Sequence, residues 1–299
     1  MTDTMLHPDT LEFGNMDTGT TPALDHEGIQ LSVRELTRLL HIDCPDEAWL
    51  ARTAFALRRV REGESLVRAG DKFHSLYVVR SGCFKTVYTD LSGSEQVLAF
   101  PMCGDVMGAD GIDCGNYGST AISLDTSEVV IVPFANLARL ISECPSLEPL
   151  LYRVLSRELV RVQNMAWTLG TLGAEGRVAA FLLAQSARLG ALGYSRCSFN
   201  LRMTRQEIGS HLGLKLETVS RALSALNTDG IIQVHQRTVD ILDVDRLRGV
   251  VDPAPSIVPS IEPRLGSGAV LRRADSGKRA RKPQSQFGIG LAFRQLAAA

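Results

Sequence analysis

The sequence predicts an α+β chain in three parts: an N-terminal β-barrel of jelly-roll type, one long dimerisation helix and a C-terminal winged helix-turn-helix. Three observations predict it. Short β-rich segments broken by glycine turns run from about residue 58 to residue 134, the pattern of barrels and sandwiches made of many short strands. A helical stretch over residues 146–169 then carries apolar residues at spacings of 4, 4, 3, 4 and 3, a narrow seam of the kind that pairs two parallel helices. Residues 204–226 read TRQEIGSHLGLKLETVSRALSAL, two helical patterns around a glycine, and a short hairpin follows.

Composition sets the outer limits. A chain of 299 residues has room for two domains. Hydrophobic residues at 44% and charged residues at 22% are ordinary for a globular protein. Apolar runs are too short to span a bilayer, and MTDTMLHPDT has neither the basic nor the apolar region of a secretory signal. No membrane and a cytoplasmic location are therefore expected. Net charge is −1, but residues 1–172 carry 14 Lys/Arg against 23 Asp/Glu, residues 173–250 carry 10 against 7, and residues 251–299 carry 8 against 3. The helix-turn-helix thus sits in the positive half, as contact with phosphates requires.

Taken in order, residues 1–28 are polar and read as a flexible leader. The barrel domain is expected over residues 29–144, opening with the helical LSVRELTRLL at 31–40. Its strands are read at SLYVVR (75–80), FKTVYT (84–89), EQVLAFP (95–101) and SEVVIVPF (127–134). Residues 145–172 hold the dimerisation helix. Its seam is Leu151, Leu155, Leu159, Val162, Ala166 and Leu169, with Arg153, Arg157 and Arg161 expected in solvent on the other faces. Residues 173–250 hold the winged helix, with a helix at 177–189 and a wing of IIQVH (231–235) and VDIL (239–242). Pro253, Pro255, Pro259 and Pro263 then break the chain. The segment 251–299, with RRADSGKRARKPQ at 272–284, reads as a disordered basic tail.

The helix-turn-helix carries the functional expectation. Thr204 and Glu207 form a T-x-x-E capping box, and Gly213 sits at the turn, where a left-handed backbone is often needed. Val219, Leu223 and Leu226 make a buried stripe on the second helix. That leaves Glu217, Ser220 and Arg221, at i, i+3 and i+4, on one outward face. Arg221 suits guanine O6 and N7, Glu217 suits cytosine N4 and can orient Arg221, and Ser220 suits thymine or a phosphate. Thr204, Gln206, Lys215 and Thr218 are the candidates for backbone contact or helix positioning. Double-stranded DNA is therefore the expected partner. No nucleophile elbow, phosphate loop or metal-ligand pair is found, so an enzyme is not expected and no catalytic residue is assigned.

At LETVSRAL (216–223) the chain resembles the CRP/FNR family of bacterial transcription regulators, in particular the E-[TS]-[VI]-S-R recognition helix of the FNR branch. The cyclic-AMP receptor branch usually has glycine where Ser220 stands. SLYVVRSGCFKTV, GSEQVLAFPMCGDVMG and AEGRVAAFLL also resemble FNR-type regulators. The resemblance covers about residues 31–250 and implies a cyclic-nucleotide-binding-like barrel. It also implies a homodimer, a two-fold operator similar to TTGAT–N4–ATCAA, and contact with RNA polymerase.

Neither familiar sensor is expected. Family members that bind cyclic AMP use a G-E-x-G turn and an R-[ST]-A segment; this chain reads Gly108-Ala109-Asp110-Gly111 and Ser119-Thr120-Ala121. The ribose-binding glutamate is replaced by Ala109 and the phosphate-binding arginine by Ser119. FNR-type oxygen sensors need four thiolates. Here only Cys44 precedes the barrel, and the barrel cysteine position corresponds to Val130. Cys44, Cys83, Cys103, Cys114, Cys144 and Cys197 form no CxxC clip and are read as mostly reduced and buried. His74 is read as a surface or structural histidine rather than a haem ligand. No cofactor and no metal are expected, and binding to DNA without a ligand follows. Two alternatives remain: a small-molecule- or thiol-sensing regulator of the same fold, and a ligand-binding module whose DNA-reading helix is degenerate.

Overall fold

Alternation along the barrel strands decides what the first half of the chain buries. The structure, a computed structural model, describes residues 30–41, 54–143 and 145–251. The expected leader at 1–28, the tail after Val251, and Cys44 and Cys144 lie outside the described residues. All the described residues belong to one unit, His26–Pro255.

Strand β1 (Gln30–Ser32) leads directly into α1 (Val33–Leu39). Ser32 caps that helix in a capping box with Glu35, so the helix expected at 31–40 is shorter and preceded by a strand. The barrel follows with β2 (Ala54–Val60), β3 (Ser65–Val67), β4 (Ser75–Ser81), β5 (Phe84–Thr89), β6 (Glu95–Ala99) and β7 (Val106–Met107). A short helix α2 (Gly111–Cys114), β8 (Thr120–Ser123) and β9 (Ser127–Pro133) complete it. One antiparallel sheet has the order β1-β2-β9-β4-β7, the other β3-β8-β5-β6. Tyr77, Val79 and Val129 pack with Phe84 and Tyr117 in one apolar cluster. Their neighbours Leu76, Val78, Val130 and Val132 join a second cluster with Val33, Leu36 and Leu140. Strand β4 is thus covered on both faces, which is why SLYVV reads as a continuous apolar run rather than an alternating one.

Helix α3 (Phe134–Glu143), absent from the sequence reading, continues straight from β9. A 3-10 turn, Pro145–Leu147, leads into α4 (Glu148–Thr171), which is roughly 36 Å long at 1.5 Å per residue. The observed helix lies two residues C-terminal of the expected 146–169. Helix α5 (Ala174–Ala191) then opens the winged helix: β10 (Ser198–Asn200), α6 (Arg205–Leu212), α7 (Leu216–Thr228), β11 (Ile232–His235), β12 (Thr238–Ile241) and α8 (Val244–Val250). The wing has three strands, ordered β10-β12-β11, rather than the expected two. Among the described residues, no helix is long and apolar enough to cross a membrane.

Two expectations about α4 need correction. Arg157 is half-buried, and Arg161, though exposed, is held by carboxylates rather than left to solvent alone. Arg157 donates to the carbonyls of Leu40 and His41, and Arg161 pairs with Asp105 and Glu158. Arg157 and Arg161 thus tie this side of α4 to the barrel domain, while Arg153 is exposed as expected. The ends of the expected seam also turn inward. Leu151 lines an apolar cavity of about 80 Å³ beside α1 and α3, and Leu169 lies against the turn at Gly213. The middle of the seam stays open, with Leu155, Leu159 and Val162 at 37%, 59% and 65% exposure.

Candidate nucleic-acid interface

The expected capping box is formed at the start of α6. Thr204 Oγ1 accepts from the Glu207 amide at 3.2 Å, and Glu207 Oε2 accepts from the Thr204 amide at 2.7 Å. Thr204 is therefore engaged in positioning the helix. At the other end Gly213 adopts φ 63°, ψ 37° and closes the helix in the left-handed region, where a side chain would be strained. Gly209, unnoticed in the sequence, matters as much for a different reason. A Cβ there would stand 2.6 Å from the Leu214 carbonyl oxygen. Gly209→Ala is expected to lower the stability of the winged helix by about 1–3 kcal/mol through overpacking against backbone. Denaturant titration checks this, and an unchanged midpoint would contradict it.

Arg177 fixes this turn to the end of α4. Its guanidinium donates to the carbonyls of Leu172 at 2.9 Å, Leu212 at 3.0 Å and Leu169 at 2.7 Å. Helix α7 then buries Val219, Ala222, Leu223 and Leu226, the expected stripe with Ala222 added. Glu217 and Arg221 are exposed, and neither has an ion-pair or hydrogen-bond partner among the described residues. The orienting Glu217–Arg221 pair is thus not formed, and both side chains are free for an external partner. Ser220 is half-buried and accepts from Arg205 Nη1 at 3.4 Å. Gln206 and Lys215 are exposed, and Thr218 is half-buried.

Three further basic residues of this domain were missed in the sequence. Arg205 follows the cap, and Arg237 lies in the wing turn beside Gln236, whose φ is 55°. Both line a groove of about 320 Å³ between α6, α7 and the wing. Exposed Arg202 pairs with Asp125 of the barrel at 3.2 Å. Only the folding of the wing back onto α6 brings Arg205 and Arg237 together; nothing in their local sequence marks them.

The opposite side of α6 meets the barrel. Lys85 Nζ lies 2.8 Å from Glu207 Oε1. The Val97 amide donates to Ser210 Oγ at 2.9 Å, and Gln96 donates to the Ser210 carbonyl. Burial pushes the Glu207 carboxyl up, but hydrogen bonds from Lys85 and Thr204 outweigh it and hold the group below its ordinary value. His211 packs edge-on against Phe100 and Phe181. Burial, assisted by Arg188, lowers its pKa to about 4 against the pull of the Val97 and Leu98 carbonyls. Since the folded value lies below the ordinary 6.5, the unfolded chain takes up a proton first as pH falls. Stability is therefore expected to drop between pH 6.5 and about 4, by roughly 1–2 kcal/mol after discounting for partial exposure. Melting curves of the parent and His211→Asn should diverge in this window; parallel curves would contradict the assignment.

In the barrel, Ala109 and Ser119 occupy the turn and strand entrance expected from sequence. Ser119 Oγ donates to Asp110 Oδ2 at 2.7 Å. Among the four described cysteines, all free, the expected full burial is found at Cys83, whose thiol is pushed up to about 12 by desolvation. Cys103 is half-buried and also raised by burial, while Cys114 and Cys197 are exposed. His74 is exposed and tilted against Tyr117. No three His, Cys, Asp or Glu among the described residues are placed to hold a metal.

Comparison with known proteins matches both halves. Residues 57–144 match the cyclic nucleotide-binding domain, and residues 176–250 match the Crp-like helix-turn-helix domain. The chain is 40% identical over 193 residues to the transcriptional regulatory protein btr of Bordetella pertussis, covering 64% of this chain and 80% of that protein. It is 39% identical over 186 residues to the transcriptional activator protein anr of Pseudomonas aeruginosa, covering 62% and 76%. The solved structure of FixK2 from Bradyrhizobium japonicum superposes with a TM-score of 0.62 at 28% identity, over 68% of this chain and 100% of that one.

Proposed function

We propose how this chain, which belongs to the CRP/FNR family of transcription regulators, reads DNA: as a homodimer on a two-fold operator of the TTGAT–N4–ATCAA type. The observation that carries this reading is the exposed Glu217–Arg221 face at the N-terminal end of α7, unpartnered among the described residues. Recognition helices present that end to base edges. Each TTGAT half-site holds a single G·C pair. Arg221 donates to its guanine and Glu217 accepts from its cytosine, so the two free side chains match the two edges of one base pair. Ser220, shared with Arg205, lies at the adjoining thymine or phosphate. Lys215, Gln206, Arg205 and Arg237 flank this face and contact phosphates, which set register rather than sequence.

The open stripe Leu155, Leu159, Val162 and Ala166 on α4 supports the dimer. An exposed apolar face of this length on one helix is buried by a second copy of itself. It carries no acidic side chain to oppose association. Two recognition helices one DNA turn apart then meet two half-sites. Contact with RNA polymerase and work in the cytoplasm follow from regulation at promoters.

The residues of the barrel do not fit a cyclic nucleotide. Its phosphate would meet Ser119 and the Asp110 carboxylate in place of a cation, and burying it there carries a large desolvation cost. They do not fit a four-thiolate cluster either: Val130 is buried in the apolar layer with Leu76 and Val132. DNA binding is accordingly independent of both ligands, and control lies in protein abundance or a partner. Thiol control, the alternative reading, would fall on the exposed Cys114 and Cys197. Sedimentation and gel shifts of metal-free protein test the proposal. A dimer that shifts TTGAT–N4–ATCAA equally with and without cyclic AMP is expected. A monomer that fails to shift it would overturn the reading.

A further inference from the structure

We propose that Lys85 and Asp105 are positioning residues for DNA reading: through them the barrel holds the recognition helix in a DNA-ready orientation without a ligand. The proposal rests on the DNA reading above and extends it to its control.

Two anchors carry it. The first is the β5–β6 hairpin on the back of α6. Lys85 meets Glu207 at 2.8 Å, with both side chains under 20% exposed, at 19% and 17%. Beside it the Val97 amide donates to Ser210 Oγ, and His211 Nδ1 lies 3.4 Å from the Val97 carbonyl oxygen. Glu207 is also the capping-box carboxylate, so the barrel grips the residue that sets the start of the helix. The second anchor is the buried Asp105, between β6 and β7. It accepts from Arg161 on α4 and Arg188 on α5, and from the Met102 amide at 2.8 Å. One carboxylate thus ties the dimer helix and the first helix of the DNA-binding domain to the barrel. Between the anchors, Val87, Val97 and Phe100 of the barrel share one apolar core with Phe181, Ile208 and Leu212.

These contacts reach α6 through Glu207, Ser210 and His211, while Gln206, Glu217 and Arg221 stay exposed. A regulator that needs an effector must have an equilibrium between orientations for the effector to shift. Here the locked orientation already leaves the reading face open. Losing the lock frees the DNA-binding domain to sample other orientations, and that ordering cost then falls on binding.

The test measures DNA affinity of the full-length protein by fluorescence anisotropy, without added ligand. It uses the TTGAT–N4–ATCAA duplex and a duplex that the parent selects from random sequence. Lys85→Ala and Asp105→Asn are each expected to weaken binding about tenfold, within the usual range of coupling between sites. Lys85→Arg is expected to restore it, with the sedimentation coefficient and melting temperature of Lys85→Ala near those of the parent. Unchanged affinity overturns the proposal. Tighter binding overturns it too, since the docking would then be inhibitory. Failure of the parent on TTGAT but not on its selected duplex would instead refute the operator assignment and leave the lock readable on the selected duplex.

Discussion

Leu159→Glu is expected to split the dimer and reduce operator binding to the level seen with unrelated DNA. Leu159 stands in the middle of the open stripe on α4 and is 59% exposed in the single chain. Burial of a leucine contributes roughly 1.5–3 kcal/mol, and symmetry removes it from both copies. The dimer dissociation constant should therefore rise at least about a hundredfold, at 1.4 kcal/mol per tenfold. Two carboxylates facing each other across a two-fold axis add repulsion and desolvation. Operator affinity falls with it, because each recognition helix raises the effective concentration of the other at its half-site. Asn164→Glu, exposed on α4 outside the stripe, is the control and should leave the dimer intact. Sedimentation velocity and anisotropy on the operator read both effects. A Leu159→Glu protein that still sediments as a dimer would show that the interface lies elsewhere.

Arg221→Ala is expected to cost about 1–3 kcal/mol per half-site at the operator and to abolish discrimination at its G·C pair. Affinity for non-specific DNA is expected to change far less, because the phosphate contacts proposed for Lys215, Arg205 and Arg237 would remain. The informative measurement is a grid of two proteins against two duplexes, the second with the G·C pair of each half-site exchanged for A·T. The parent should lose affinity on the exchanged duplex, and the variant should bind both equally. Parent-like binding by the variant would favour a ligand-binding module with a degenerate reading helix. Since Glu217 and Arg221 have no ion-pair partner among the described residues, the expected loss reflects contacts to DNA rather than collapse of an ion pair between described residues.

The elements legible in the sequence are those specified by nearby residues. Strand β5 lies where FKTVYT placed it, and β4 and β9 differ from expectation by one residue at an end. The Thr204–Glu207 box, the Gly213 cap and the α7 stripe all depend on groups within a few positions of each other. Such features fix backbone dihedrals and helical faces locally. Periodicity shows that a face is apolar, however, and not what covers it. The seam ran evenly from Leu151 to Leu169 in sequence, yet its ends pack against the chain itself and only its middle is open. Arg157 and Arg161 looked solvated for the same reason, because polar side chains on a helix carry no mark of the carbonyls or carboxylate awaiting them.

By itself, then, the sequence determined the kind of chain this is: a barrel, a long helix and a winged helix in which the second helix of the helix-turn-helix carries glutamate, serine and arginine at i, i+3 and i+4. Only the tertiary structure decided which of those groups are free to act. Lys85 and Glu207 are separated by 122 positions, and Asp105 by 56 and 83 from its two arginines. No local pattern encodes such pairs, because they exist only once loop closure has brought distant segments together and burial has made each charge depend on its partner.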